Sequence, residues 1–150
     1  MKLIAPDYYT KFKCIADQCK HSCCIGWVID VDPDTLAYYH SITGPLGERL
    51  KKGIDESGET AHFILGEQER CPFLNQTGLC DLILGLGEDC LCQICADHPR
   101  YRNFYSDRTE IGLGLCCEAA GELILKRQEK TTLVVLEDDG KEEELDVPDE

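Results

Sequence analysis

Cysteine is the residue type through which this chain can do chemistry. Four cysteines fall within KCIADQCKHSCC, Lys13 to Cys24, out of eleven in the whole sequence. Their spacing runs Cys14-x4-Cys19-x3-Cys23-Cys24, then Cys71-x8-Cys80, then Cys90-x-Cys92-x2-Cys95, and last Cys116-Cys117. Thiols at such density bridge one another, hold a metal, or react. An odd count leaves one sulfur over if all pair. Neighbours such as Cys23-Cys24 do not readily bridge to each other, but each can point to a different partner. The N-terminal MKLIAPDYYTKFKC lacks the apolar segment of a secretory signal, so the expected compartment is the reducing cytoplasm, where disulfides are rare. Metal ligation therefore ranks first, disulfides second, and a set of unrelated buried thiols third.

Zinc takes four sulfur or nitrogen ligands in a tetrahedron, and closely spaced cysteines supply two from one turn. Iron–sulfur clusters take four thiolates, often three close together and one distant. Cys90, Cys92 and Cys95 with a distant Cys116 or Cys117 suit the second pattern, and the sequence leaves the division of the sulfurs among sites open. Cys92-x2-Cys95 alone also fits a redox motif, but no βαβ pattern surrounds it. The C-x3-C-x2-C signature of radical enzymes that cleave S-adenosylmethionine is absent: after Cys19-x3-Cys23 it requires a cysteine where Gly26 stands. His21 and His98 are available as substitute ligands that so many thiols leave unneeded.

The elements that must position these groups are short. Residues 1–30 read as irregular, with Trp27 packed over the first cluster. Asp32 or Asp34 is expected to cap a helix through Asp34–Ile42, with Pro33 near its first turn. Gly44-Pro45 ends that helix, Leu46–Lys52 forms another, and DESGET is a loop. His62–Leu65 is a strand candidate, and CPFLNQTGLC, Cys71 to Cys80, turns at Asn75–Gly78 as a knuckle. Asp81–Asp97 has helical spacing weakened by Gly85 and Gly87. RNFYSDRTEIGLGL predicts a β-hairpin turning at Ser106–Arg108, Glu118–Arg127 a helix, and Thr131–Leu136 a strand. The predicted fold class is α+β: a small, irregular, metal-organised cysteine-cluster domain with short helices and a β-hairpin. It is expected to occupy residues 1–136.

The remaining stretch, 137–150, is an acidic tail or a linker to a further region. It helps bring the net charge to −14, with 29 acids against 15 bases. Phosphate binding needs positive charge, so no nucleic-acid partner is expected, and no apolar run is long enough for a membrane span. Arg100, Arg102 and Arg108 with Tyr101, Phe104 and Tyr105 read as a hairpin face. The glycine pairs of LGLGED and GLGLCC read as turn and packing residues.

MKLIAPDYYTKFKCIADQCKHSCCIGW, CPFLNQTGLCDLILGLGEDCLCQICADHPRYRN and LGLCCEAAGELILKR together resemble the bacterial flagellin lysine N-methylase family, whose members carry a zinc- or iron-chelating cysteine-cluster (YkgJ-like) domain. The resemblance implies that Cys14, Cys19, Cys23, Cys24, Cys71, Cys80, Cys92, Cys95 and Cys116 are the cluster cysteines. Cys90 and Cys117 stand outside that pattern. It further implies a protein-lysine N-methyltransferase acting on flagellin, or its metal-binding N-terminal domain, with zinc or an iron–sulfur cluster and S-adenosylmethionine as cofactors. Arg100, in the HPR tripeptide, is a candidate to pair with a carboxylate, in the protein or in the donor, or else to anchor the backbone of a helix-end turn; Glu110, Glu118, Tyr101 and Tyr105 are candidates for taking or relaying the amine's proton. The alternative is a noncatalytic zinc- or iron–sulfur-binding module for partner docking or for redox or iron sensing. Electron transfer has no support beyond the sulfurs.

Overall fold

In the computed structural model, which describes residues 1–140, the chain is built as two compact units. One comprises Met1–Cys14 and the described chain from Pro99 to Gly140; the other is Ile15–His98.

The first unit is a sheet with one helix. Strand β1 is Lys2–Pro6, β4 is Arg100–Phe104, β5 is Arg108–Leu113 and β6 is Leu133–Asp138, arranged in the order β4-β5-β1-β6. β4 and β5 form the expected hairpin, closed by Tyr105 N–H donating to Arg108 O. β1 runs parallel to β5 and antiparallel to β6. Helix α5, Glu118–Leu125, contributes Ala120 to a small core with Tyr8 and Leu113. The opening residues, expected to be irregular, are thus partly a strand at the middle of a sheet. KLIAP is too short and too weakly alternating to announce itself, and its partners lie more than a hundred residues downstream. Strand β6 also runs two residues past the expected Leu136, since Glu137 pairs with Leu3 and Asp138 with Lys2. The rest of the acidic stretch, from residue 141, lies outside the described residues.

In the second unit, α1 is Pro33–Ser41 and α2 is Gly44–Gly53. Strands β2 (Ile54–Asp55) and β3 (His62–Phe63) pair, and α3 (Asp81–Leu86) and α4 (Gln93–Asp97) follow. The core holds Ile29, Tyr39, Leu50, Phe63, Phe73 and Leu82, all nearly inaccessible to solvent. Each such side chain contributes roughly 1.5–3 kcal/mol by leaving water. Phe63 and Phe73 meet edge to face at 5.3 Å between centroids. The helix expected over Asp81–Asp97 is split, because Gly87 takes φ of 92° and turns the chain out of α3. Gly44-Pro45, read as a break, also opens α2, where the fixed φ of proline suits a first turn.

Asp32 ties two helices together. One carboxylate oxygen accepts from Thr35 N at 3.1 Å and caps α1; the other accepts from Gln93 N at 2.7 Å, at the start of α4. Partial burial disfavours the charged form, but these donors outweigh it and hold the Asp32 pKa below the ordinary carboxylate value. Asp32→Ala removes both caps and is expected to destabilise this unit by about 2 kcal/mol, at the upper end for a single cap. Asp32→Asn, which keeps acceptor capacity on one oxygen, should lose less. Urea unfolding of both variants measures the difference.

Candidate metal centre

The second unit gathers sulfurs from three separate sequence blocks. Cys71 N–H donates to Cys24 O over 2.8 Å, joining the first block to the second. From Cys71 the chain folds back as the expected knuckle. Asn75 Oδ1 accepts from Thr77 N, Thr77 Oγ1 and Leu79 N, while Leu74 pairs with Cys80. Cys80 and Cys92 stand at the N-cap positions of α3 and α4, and Cys95 lies within α4. Tyr39 on α1 donates its hydroxyl to Cys90 O at 2.8 Å. As a result Cys71, Cys90 and Cys92 are buried in one core, with Cys24, Cys80 and Cys95 packed against it. All eleven cysteines are outside disulfides.

These six thiols sense one another's charge. The Cys24 pKa is lowered to about 6: Cys23 donates a hydrogen bond to its sulfur, burial opposes ionisation, and Ser22 and the Arg70 cation assist it. Cys92 is lowered likewise by a hydrogen bond from Cys95, against burial. The donor in that bond, Cys95, is held strongly protonated by it, by burial, and by the charges of Cys92, Cys24 and Cys71. Burial pushes Cys71 up to about 11, with the charges of Cys24 and Cys80 adding to it. Burial also raises Cys80 and Cys90. The Tyr39 phenol is raised for the same reason, with four cysteine charges reinforcing the effect. Ionisation is thus favoured at Cys24 and Cys92 relative to an ordinary thiol and disfavoured at Cys71, Cys80, Cys90 and Cys95. A cation is what reverses that resistance, because metal ligation deprotonates a thiol outright.

An all-sulfur donor set of this kind suits zinc or an iron–sulfur cluster. Among the described residues, however, no three His, Cys, Asp or Glu side chains are close enough together to hold one ion as they stand. Of the predicted ligands, Cys24, Cys71, Cys80, Cys92 and Cys95 converge. Cys19 and Cys23 belong to the same unit, Cys23 exposed and bonded to Cys24. Cys14 and Cys116 belong to the first unit and are exposed. Cys90, which the resemblance set aside, is 3% exposed and senses Cys80 and Cys92. Its signal in the sequence was the single residue separating it from Cys92. Cys117, the other cysteine outside the pattern, starts α5 and packs on that helix's core.

The other candidates have structural surroundings. Glu110 accepts from Arg108 Nε at 2.8 Å, and the Arg108 guanidinium lies 4.4 Å over Tyr105. Tyr101 covers Gly112, where an added Cβ would come within 2.5 Å of its hydroxyl. Glu118 begins α5. The glycines of LGLGED and GLGLCC serve turns and packing, as expected: Gly87 ends α3, and Gly85 faces Leu46. His21 is exposed. Trp27 packs against the core and against His98, with ring centroids 6.1 Å apart, and donates Nε1–H to Cys23 O at 2.6 Å. His98 Nε2 is buried without a partner among the described residues, and burial lowers its pKa, favouring the neutral ring. Arg100, at the start of β4, donates Nε–H to the Tyr9 hydroxyl at 3.0 Å. No helix of the described residues is long and apolar enough to cross a membrane.

The resemblance read in the sequence is present among known proteins. The chain is 28% identical over 128 residues to Lysine-N-methylase of Salmonella typhimurium, an alignment covering 80% of this chain and 31% of that protein. Lysine-N-methylase of Salmonella choleraesuis aligns to the same extent. The Flagellar biosynthetic protein FliU of Salmonella muenchen is also 28% identical, with 75% of its length covered. The chain therefore spans about a third of the lysine-N-methylases it is similar to. No protein-family model and no solved structure matches it.

Proposed function

We propose that this chain is the thiolate-rich, metal-binding part of a protein-lysine N-methylase that takes its methyl group from S-adenosylmethionine and acts on flagellin. The observation that carries this reading is the meeting of Cys24, Cys71, Cys80, Cys90, Cys92 and Cys95 in one core, in a chain that resembles lysine-N-methylases. Coordination would draw four of these sulfurs together around zinc or an iron–sulfur cluster and convert the resistant thiols to thiolates. Bound there, the metal supplies charge neutralisation and rigidity.

Methyl transfer itself is a displacement. The lysine nitrogen lone pair attacks the sulfonium methyl, the carbon–sulfur bond breaks, and the amine gives up a proton. The amine must be neutral, although free lysine has a pKa near 10.4, and it must lie in line with the departing sulfur. Within this chain Glu110, Tyr101 and Tyr105 are already engaged in ion-pair, packing and cation–π contacts. That engagement favours a second reading in which the chain holds the metal without performing the transfer alone.

Two measurements test the pair of readings. Purification without oxygen, followed by metal and acid-labile sulfide analysis, should give a stoichiometric metal; absence of any metal removes both readings. Incubation with flagellin and methyl-labelled S-adenosylmethionine then separates them. Label on flagellin lysines supports the enzyme, whereas full metal content with no label leaves the metal-binding module.

A further inference from the structure

Four of the six arginines in this protein are matched with carboxylates or carbonyls. Arg49 pairs with Asp81, Arg108 with Glu110 and Asp107, and Arg127 with Asp7; Arg70 donates to the carbonyls of Leu74 and Asn75. Arg100 is different. Its Nε–H goes to the Tyr9 hydroxyl at 3.0 Å, and its guanidinium carbon lies 5.9 Å from the Tyr9 ring centroid and 5.4 Å from that of Phe12. Its outer nitrogens, Nη1 and Nη2, have no protein partner among the described residues and are not buried. In a chain with 29 acids and 15 bases, this guanidinium is held by aromatic groups and by no carboxylate among the described residues.

The physical consequence is a preset fork. A guanidinium held against aromatic faces keeps its in-plane N–H edge for hydrogen bonding, and that edge fits the two oxygens of a carboxylate. The Tyr9 hydroxyl, having accepted from Nε, still has its own proton to donate. One cation and one phenol match a single negative charge. They do not form the array of amides that gathers around a phosphate.

We propose that the outer edge of Arg100, with the Tyr9 hydroxyl, is the seat for the α-carboxylate of S-adenosylmethionine. This deepens the methyl-donor reading above and rests on it. The donor's overall positive charge suits so acidic a chain, and its carboxylate is the one part that needs a protein cation.

The test is titration calorimetry on the whole chain with S-adenosylmethionine and with its decarboxylated analogue, which keeps the sulfonium, the nucleoside and the amine. The native chain should prefer the carboxylate-bearing compound by roughly tenfold to a hundredfold, the range of a charge-assisted pair. Arg100→Gln should abolish the preference by weakening the intact donor alone, and Arg100→Lys should restore only part of it. Should Arg100→Gln lose its circular-dichroism spectrum, Tyr9→Phe keeps the aromatic face and should reduce the preference severalfold. Binding of both compounds without discrimination, or a preference that survives Arg100→Gln and Tyr9→Phe, overturns the carboxylate seat while leaving the methyl-donor reading in place. Failure of the native chain to bind either compound overturns both.

Discussion

If the converging thiols hold a metal as proposed, a chelator added to the reduced protein is expected to abolish the cooperative melt of residues 15–98. The magnitude follows from two figures. Structural zinc contributes roughly 10–16 kcal/mol on binding to small domains, whereas a whole domain is stable by only about 5–15 kcal/mol. Without the ion, the second unit keeps a core of Tyr39, Phe63, Phe73 and Leu50, but it also keeps six thiols inside or against that core. Their charges oppose one another: ionisation of Cys24 raises Cys71, Cys80 and Cys95. Hydrogen exchange resolves the effect by region. Amides of α3 and α4 and of the Cys71–Cys80 knuckle should lose protection on chelation and regain it when zinc or iron with sulfide is returned. Protection unchanged by chelation in a fully reduced sample would show that hydrophobic packing alone sets this unit, and the metal reading would fall. The amides pairing β1 with β5 provide the internal comparison, since that sheet contains none of the six converging sulfurs.

What could be read ahead of the structure depended on how local its cause was. The α1 cap at Asp32, one of the two aspartates expected there, the Asn75–Gly78 turn and the β4–β5 hairpin each arise from residues within a few positions of one another, and each is found. The second role of Asp32, capping α4 through Gln93, needs a partner 61 residues away that no local pattern announces. Strand β1 is the same case: Lys2–Pro6 is extended because Arg108–Leu113 and Leu133–Asp138 flank it. Cysteine spacing left the division of the sulfurs open and the family pattern set Cys90 aside, whereas Cys90 is buried in the same core as Cys71 and Cys92 and its carbonyl accepts from the Tyr39 hydroxyl. Cys14 and Cys116 share the family pattern with the others and lie in a different unit, a division that spacing carries no information about.

The second large effect is expected in the first unit, at the pair formed by Asp7 and Arg127. Arg127 Nη2 donates to Asp7 Oδ2 at 2.9 Å, with side-chain exposures of 14% and 27%. The guanidinium lies 5.2 Å over the Tyr8 ring, and Thr132 Oγ1 donates to the same carboxylate oxygen. Asp7 follows β1 and Arg127 follows α5, so the pair fastens the sheet to its helix, with Asp7 N–H to Thr132 O joining the approach to β6. The match is incomplete: Asp7 Oδ1 and Arg127 Nε are buried without partners among the described residues. Desolvation on both sides therefore offsets much of the attraction, and the pair adds little net stability compared with apolar residues of similar size. Removing one member is another matter, because the remaining charge stays desolvated and unpaired. Arg127→Met and Asp7→Leu are each expected to cost about 3 kcal/mol, the low end for a buried pair because Asp7 keeps some access to water. The double replacement Asp7→Leu with Arg127→Met should recover most of that loss. Urea unfolding of the four proteins, followed by the exchange of β1 and α5 amides, supplies the cycle. Additive losses in the double variant would mean that the two side chains act through separate contacts, Arg127 on the Tyr8 ring and Asp7 on Thr132.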